Sequence, residues 1–197
     1  AAEQNANDAN NKIDNLEVGG RNYLQNSEQE QYNNASTQAE FLKTTFDLAP
    51  FFDANGLVEV TLSFDAYAPK DGRVQIYCQN GSGARYSFSK FVNITTGWRR
   101  YCVTFTPTGP NEQFVESYLA FYGVYGSGVI PHVRKLKLEK GNKATDWTPA
   151  PEDMATSDGL EAAEDAAQDA TDKLTERLEQ AESRISQIAD SISMMVV

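Results

Sequence analysis

Alternation with a period of two is clearest in residues 57–68, LVEVTLSFDAYA. There Val58, Val60, Leu62, Phe64 and Ala66 form a uniformly apolar set, and Glu59, Thr61, Ser63, Asp65 and Tyr67 fall on the other side. Since successive strand side chains point to opposite faces, this predicts a strand buried on one face only. The turn Pro69-Lys70-Asp71-Gly72 follows, and then Val74, Ile76 and Cys78 read inward against Arg73, Gln75, Tyr77 and Gln79. After Asn80-Gly81-Ser82-Gly83, residues 85–92 predict another strand of open register. In WRRYCVTFTP, Tyr101, Val103 and Phe105 oppose Trp98, Arg100, Cys102 and Thr104. Residues 114–125 are so aromatic that both faces compete, but Leu119 with Phe121 reads inward, which sends Tyr118 and Tyr122 outward. A last strand is expected over residues 129–139. Earlier in the chain, residues 22–24 predict a short strand and residues 40–48 another, stopped by Pro50 and the Asp53-Ala54-Asn55-Gly56 turn. Six to eight short half-buried strands, with turn signals between them and no intervening helical period, point to an antiparallel β-sandwich.

The period changes at both ends. Ala2, Ala6, Ala9, Ile13 and Leu16 stand at spacings of 4, 3, 4 and 3, the seam of a heptad repeat, and Gly19-Gly20 ends it. Beyond residue 152 the same spacing runs through Leu160, Glu164, Ala167, Thr171, Leu174, Leu178, Ala181, Ile185, Ile188, Ile192 and Met195. Isoleucine at both Ile185 and Ile188 shifts preference from two strands toward three or more. The expected organisation is therefore a coiled-coil helix at 1–18, a β-sandwich at 19–151 and a second coiled-coil helix at 152–197, assembled as a homotrimer. If residues near Tyr23 pair with those near Leu136, the chain enters and leaves the sandwich at one end.

Composition sharpens that division. Every Phe, Tyr and Trp lies between Tyr23 and Trp147, and of the net charge of −11, residues 1–18 carry −3, residues 19–151 carry +1 and residues 152–197 carry −9. The acidity belongs to the flanks, and a sandwich near neutrality between acidic helices lacks the basic footprint of a nucleic-acid binder. No apolar run reaches the roughly eighteen residues that would span a membrane. The absence of an initiator Met, a basic leader and a signal segment fits a piece of a longer chain. Cys78 and Cys102, the only cysteines, read to opposite faces and are expected as free thiols; a disulfide would need a bulge to bring them together.

Two motifs bracket the sandwich: Gly20-Arg21-Asn22-Tyr23-Leu24 at its start, and LKLEKGNKATDWTPAP at 136–151, continued by Glu152-Asp153. Together they resemble the brackets of carbohydrate-binding-module-like jelly rolls in tail proteins of phages and prophages of Gram-positive bacteria. The resemblance implies an all-β antiparallel jelly-roll sandwich, a role in a virion tail, and as partners a cell-wall or surface polysaccharide and other tail proteins. It also assigns Asp146-Trp147 and Arg21-Asn22 to the base of the domain as structural residues. Such modules often hold a structural calcium, although no set of six to eight oxygen ligands is evident in this sequence.

Catalytic chemistry finds little to use. A triad would have to employ the single histidine, His132, without any nucleophile elbow. Zinc would need three or four clustered Cys or His ligands, and a glycosidase would need two facing carboxylates, for which Asp65 and Glu116 are the outward candidates. Saccharide binding asks for something else: flat rings against the C–H face of a sugar, with fixed polar groups beside them. The outward set supplies it, with Tyr67, Tyr77, Trp98, Tyr118 and Tyr122 as platforms and Asp65, Arg73, Gln75 and Arg100 as polar partners. The expectation is a binding module without cofactor or turnover. Two rivals remain: a spacer domain of the fibre that holds no ligand, with those rings serving as ordinary cross-strand pairs, and a bacterial surface adhesin with the same chemistry.

Overall fold

The structure is a computed structural model that describes the backbone of residues 19–195, with side chains described for 19–154 and 168–188. The heptad segment expected at 1–18 lies outside the described residues. The chain divides into two compact units, Ala1–Asp153 and Met154–Val197.

Among the described residues of the first unit, seven strands make two antiparallel sheets: β1 (Phe41–Asp47), β2 (Val60–Tyr67), β3 (Gly72–Gln79), β4 (Ser89–Ile94), β5 (Arg99–Phe105), β6 (Tyr118–Tyr122) and β7 (His132–Lys140). One sheet has the order β1-β6-β3-β4 and the other β5-β2-β7, so most connections cross from sheet to sheet. The expected β-sandwich is what the strands build. Its core follows the period-2 sets: Val60, Leu62, Phe64 and Ala66 of β2 and Leu136 and Leu138 of β7 meet Val74, Ile76, Leu119 and Phe121, all fully buried. Phe64 and Phe121 touch edge to face across the layers, with ring centroids 5.1 Å apart. Cys78 is buried and Cys102 exposed, and both are free.

Several local expectations need correction. Residues 22–24 form no strand. Instead the entry segment runs antiparallel beside β7, held by Tyr23 N to Leu138 O at 2.9 Å, Leu136 N to Ser27 O at 3.0 Å and the bridge between Gln31 and Val133. After β1, a short helix α1 (Ala49–Asn55) replaces the expected turn. Pro50 suits its first turn because that position has no intrahelical N–H partner to lose; Asp47 Oδ1 takes the Ala49 N–H at 2.9 Å, and Gly56 ends it at φ +74°. Apolar residues on both sides of this stretch hid the helix, since Phe52 enters the core while Phe51 packs on Tyr23. β4 begins at Ser89 rather than Arg85, because Arg85 and Tyr86 are engaged by Glu116 O and Ser117 Oγ. β7 begins at His132 rather than Val129.

The larger correction concerns β2, which is not buried on one face only. Thr61 and Ser63, on the face expected to meet water, are buried as completely as Leu62. β2 is the central strand of its sheet, and a bulge in β7 aims two long side chains across its outer surface. Between Ser63 paired with Lys137 and Asp65 paired with Arg134, β7 carries one extra residue, and Lys135 there adopts φ +49°. Past the bulge the alternation changes phase, so Lys137 and Glu139 lie on the outer side, covered by the chain that follows.

Helix α2 (Pro151–Met195), which forms the second unit from Met154 on, carries Leu174, Leu178, Ile185 and Ile188, each at least 60% exposed in the single chain. A helix is what the structure describes there; a coiled coil is not shown.

Candidate functional site

The nine residues expected to bind saccharide divide between the two outer faces. Asp65, Tyr67, Trp98 and Arg100 belong to the three-stranded sheet, whereas Arg73, Gln75, Tyr77, Tyr118 and Tyr122 belong to the four-stranded one. The body of the sandwich separates the groups, so one ligand contact area cannot include both.

On the three-stranded face the candidates are occupied with one another. The Arg100 guanidinium reaches Asp65 Oδ1 at 3.2 Å, Lys135 O at 2.5 Å and Ser63 Oγ at 2.7 Å. Tyr67 lies between Trp98, edge to face at 4.7 Å, and the His132 ring, stacked at 4.5 Å, while Tyr32 stacks on His132 at 4.5 Å. His132 Nδ1 also bonds Glu30 at 2.7 Å, and the Arg134 guanidinium covers Trp98 at 4.1 Å. Each ring therefore has a protein neighbour where a sugar would have to stack. An open recess of about 450 Å³ lies between Asp65, Arg100, Lys135 and Trp147, with Cys102, Thr145 and Asp146 also on its wall; of its polar groups, Asp65 and Arg100 are held by each other.

Beside that recess sits a buried polar cluster built by the two bracketing motifs. Lys137 Nζ donates to Thr145 Oγ1 at 2.7 Å and Asp146 O at 2.8 Å and stands 4.0 Å from Glu139. The Glu139 carboxylate accepts from Thr145 N, Thr145 Oγ1 and Gly20 N at 2.8–2.9 Å. Asn22 Nδ2 donates to Leu136 O and Thr148 O, its Oδ1 accepts from Leu24 N and Leu138 N, and Trp147 Nε1 donates to Leu136 O at 3.2 Å. Entry and exit are thus stitched side by side, with Arg21 paired to Glu152, which gives Arg21, Asn22, Trp147 and the Asp146 carbonyl a structural occupation.

The four-stranded face is arranged differently. Register places Phe41, Tyr122, Gln75 and Phe91 in one transverse row across β1, β6, β3 and β4, and Lys43, Ala120, Tyr77 and Ser89 in the next. Tyr118 lies opposite Asp47 and Gln79 in a third row, and Arg73 lies opposite Asn93 beyond the first. Rows two residues apart are about 7 Å distant and adjacent strands about 4.8 Å apart, so the rings lie within reach of a single extended ligand. Phe91 and Tyr125 are each 48% exposed. Tyr125 stands edge to face with Tyr122 at 5.0 Å, on a turn held by Glu40, whose Oε1 accepts the Gly126 and Gly128 N–H groups at 3.1 Å each. Those donors, with the Glu40 amide itself as the largest influence, hold this carboxyl below its ordinary range. Partial burial, and then the nearby Tyr125 and Tyr122 phenols, push the Tyr77 phenol up. Gln75 Nε2 donates to Ser89 Oγ at 3.0 Å, which fixes its amide between the rings.

Phe41, Lys43, Phe91 and Tyr125 belong to this face and were missed. Residues 40–48 alternate legibly, so Phe41 and Lys43 could have been assigned by parity; Phe91 and Tyr125 depended on cross-strand pairings that no local pattern encodes. Asp65 and Glu116 do not face one another. Asp65 is bound by Arg100 on one sheet, while Glu116, which accepts from Asn80 Nδ2 at 2.7 Å, precedes β6 in the other. No three His, Cys, Asp or Glu side chains gather as a metal site among the described residues.

No protein-family model matches this chain, and no curated protein matches it. Among solved structures, one described as "CBM4 structure and function" is 14% identical with a TM-score of 0.35, over 55% of this chain and 66% of that one. Another, "BiXyn10A CBM1 APO", is 13% identical with a TM-score of 0.34, over 58% and 72%. A xylan-binding domain, CBM22-1 of Xyn10C from Paenibacillus barcinonensis, is 8% identical with a TM-score of 0.30, over 61% and 99%. The chain spans just under two thirds of the first of these. Likeness at such scores carries no functional argument, and the residues of the site have to supply it.

Proposed function

We propose that this protein binds a cell-surface saccharide, without turning it over, on the outer face of its four-stranded sheet. The observation that carries the reading is the difference between the two faces. On the three-stranded sheet Tyr67, Trp98, His132 and Tyr32 pack ring on ring, and both guanidinium groups lie beside Asp65. On the four-stranded sheet, by contrast, Lys43 and Arg73 rest on the Tyr118 and Phe91 rings and pair with no carboxylate among the described residues. On the four-stranded sheet Phe41, Tyr77, Phe91, Tyr118, Tyr122 and Tyr125 form a contiguous half-exposed patch, with Arg73 and Gln75 among them. A large aromatic patch on a soluble domain marks an interaction surface, and flat rings beside fixed polar groups suit the two sides of a pyranose. The lack of a facing carboxylate pair at the face supports binding over hydrolysis.

The finer reading is a jelly-roll module of a phage tail fibre or tail tip, displayed on a trimeric coiled coil and acting at the outer surface of a bacterium. The bracketing motifs support it, as does the exposed 4,3-spaced seam of Leu174, Leu178, Ile185 and Ile188. Three weak sites on one stalk would gain avidity without any new contact. The test is a binding titration of the full chain against a panel of bacterial surface polysaccharides, alongside sedimentation to obtain its mass. Tyr77→Ala and Tyr122→Ala are each expected to weaken binding by about threefold to tenfold, and Trp98→Ala to leave it unchanged. Loss with Trp98→Ala and none with the tyrosine variants would move the site to the other face. No binding to any polysaccharide would favour the spacer reading, and a monomer at micromolar concentration would remove the stalk.

A further inference from the structure

The charge on the four-stranded face runs against that of the chain. Against −11 for the whole sequence, residues 19–151 carry +1, and the strip between Lys43 and Arg73, through Tyr77, Gln75 and Tyr122, contains no acidic residue. Both cations are exposed, and neither forms an ion pair among the described residues. Each rests on a ring instead: Lys43 Nζ lies 4.5 Å from the Tyr118 centroid, and Arg73 Cζ lies 3.8 Å from that of Phe91. A cation seated on an aromatic face keeps its other side open to a ligand, and the ring limits its wandering. The two carboxylates at the Tyr118 end are turned to other work. Asp47 Oδ1 accepts from Ala49 N and Ser117 N at 2.9 and 2.7 Å, and Glu116 accepts from Asn80. On the opposite face, by contrast, Arg100 and Arg134 both lie beside Asp65, at 3.2 and 3.8 Å.

We infer that the saccharide is acidic: a polysaccharide bearing carboxylates or phosphates along its chain. Its sugar rings would lie on Tyr77 and Tyr122, and its anionic groups would meet Lys43 and Arg73. Two strands across and four residues along separate those cations by about 16 Å, so the ligand spans several sugar rings between charges. This inference deepens the saccharide reading of the same face and rests on it. A neutral glycan would leave both cations without an anionic partner, and its binding would be nearly independent of salt.

The experiment measures affinity of the full chain, at salt from about 50 to 500 mM, for four polymers. They are polygalacturonate, its carboxyl-reduced neutral product, a glycosylated poly(glycerol phosphate), and polyglutamate. One or both acidic polysaccharides are expected to bind, the better of them identifying the anion, with affinity falling as salt rises. K43Q/R73Q is expected to lower that affinity by on the order of tenfold, while Y77A/Y122A removes it. Equal binding of the neutral polymer, with K43Q/R73Q silent, overturns the acidic assignment and leaves saccharide binding standing. Polyglutamate binding as well as the sugars shows attraction by charge alone and overturns both, as does the failure of every polymer to bind.

Discussion

Lys137→Met should strongly destabilise the sandwich, and the size of the loss can be worked from the buried cluster. Lys137 is 1% exposed and Glu139 fully buried, with 4.0 Å between ammonium and carboxylate. At that distance the attraction is about 4 kcal/mol for an effective dielectric constant of about 20. Removing Lys137 leaves the Glu139 charge buried without a counter-ion, a situation that costs about 3–5 kcal/mol in comparable pairs. The donors from Gly20 and Thr145 remain and keep the loss inside that range rather than above it. Urea unfolding of the full chain, followed by tryptophan fluorescence, reads the effect, because Trp147 packs against the cluster. With a slope of about 1–3 kcal/mol per molar urea, the midpoint should fall by roughly 1–5 M, larger for the shallower slope. Glu139→Leu should fall in the same range. The double variant Lys137→Met/Glu139→Leu should lose less than the two single losses combined, since no unpaired charge remains and only neutral donors and acceptors are orphaned, at about 1–3 kcal/mol each. A midpoint shift under about 0.5 M for Lys137→Met, equivalent to surface-pair energies, would refute the claim that this pair joins entry to exit. Strict additivity in the double variant would refute the coupling.

Two further outcomes follow from the site and the core. In the native chain a thiol reagent should modify Cys102, which is exposed, and reach Cys78 only after unfolding, because burial, and secondarily the Asp47 charge, push the Cys78 thiol up and keep it protonated; mass spectrometry showing equal early labelling at both would contradict the packing. Glu40 sits below its ordinary value in the folded state, so the stabilisation it supplies is complete above the usual carboxylate value of about 4.3 and disappears as pH falls through the lower folded-state value. Amide exchange at Gly126 and Gly128 should therefore speed up on acidification relative to the global rate, and Glu40→Gln should abolish that pH dependence; a pH response that survives Glu40→Gln would mean another group holds the Tyr125 turn.

Sequence by itself determined the sandwich. The alternation in β2, β3, β5 and β6 is local, and because parity alone decides which side chains can enter a core, Leu62, Phe64, Val74, Ile76, Leu119 and Phe121 were assigned inward before any pairing was known. The same parity sent Tyr77, Tyr118 and Tyr122 outward. Parity says nothing about what lies beyond the outward side. Thr61 and Ser63 read as water-facing, yet a bulge at Lys135 and the chain after β7 cover them, and both causes sit more than seventy residues away. Which face remains open was likewise settled by tertiary structure. Strand order puts Trp98 and Tyr67 against His132 and Tyr32 on one sheet, while it gathers Phe41, Phe91 and Tyr125 around the predicted tyrosines on the other. Local pattern fixes the side a residue faces; only the long-range pairing of strands fixes its neighbours, and for these rings the neighbours decide whether a ligand can stack.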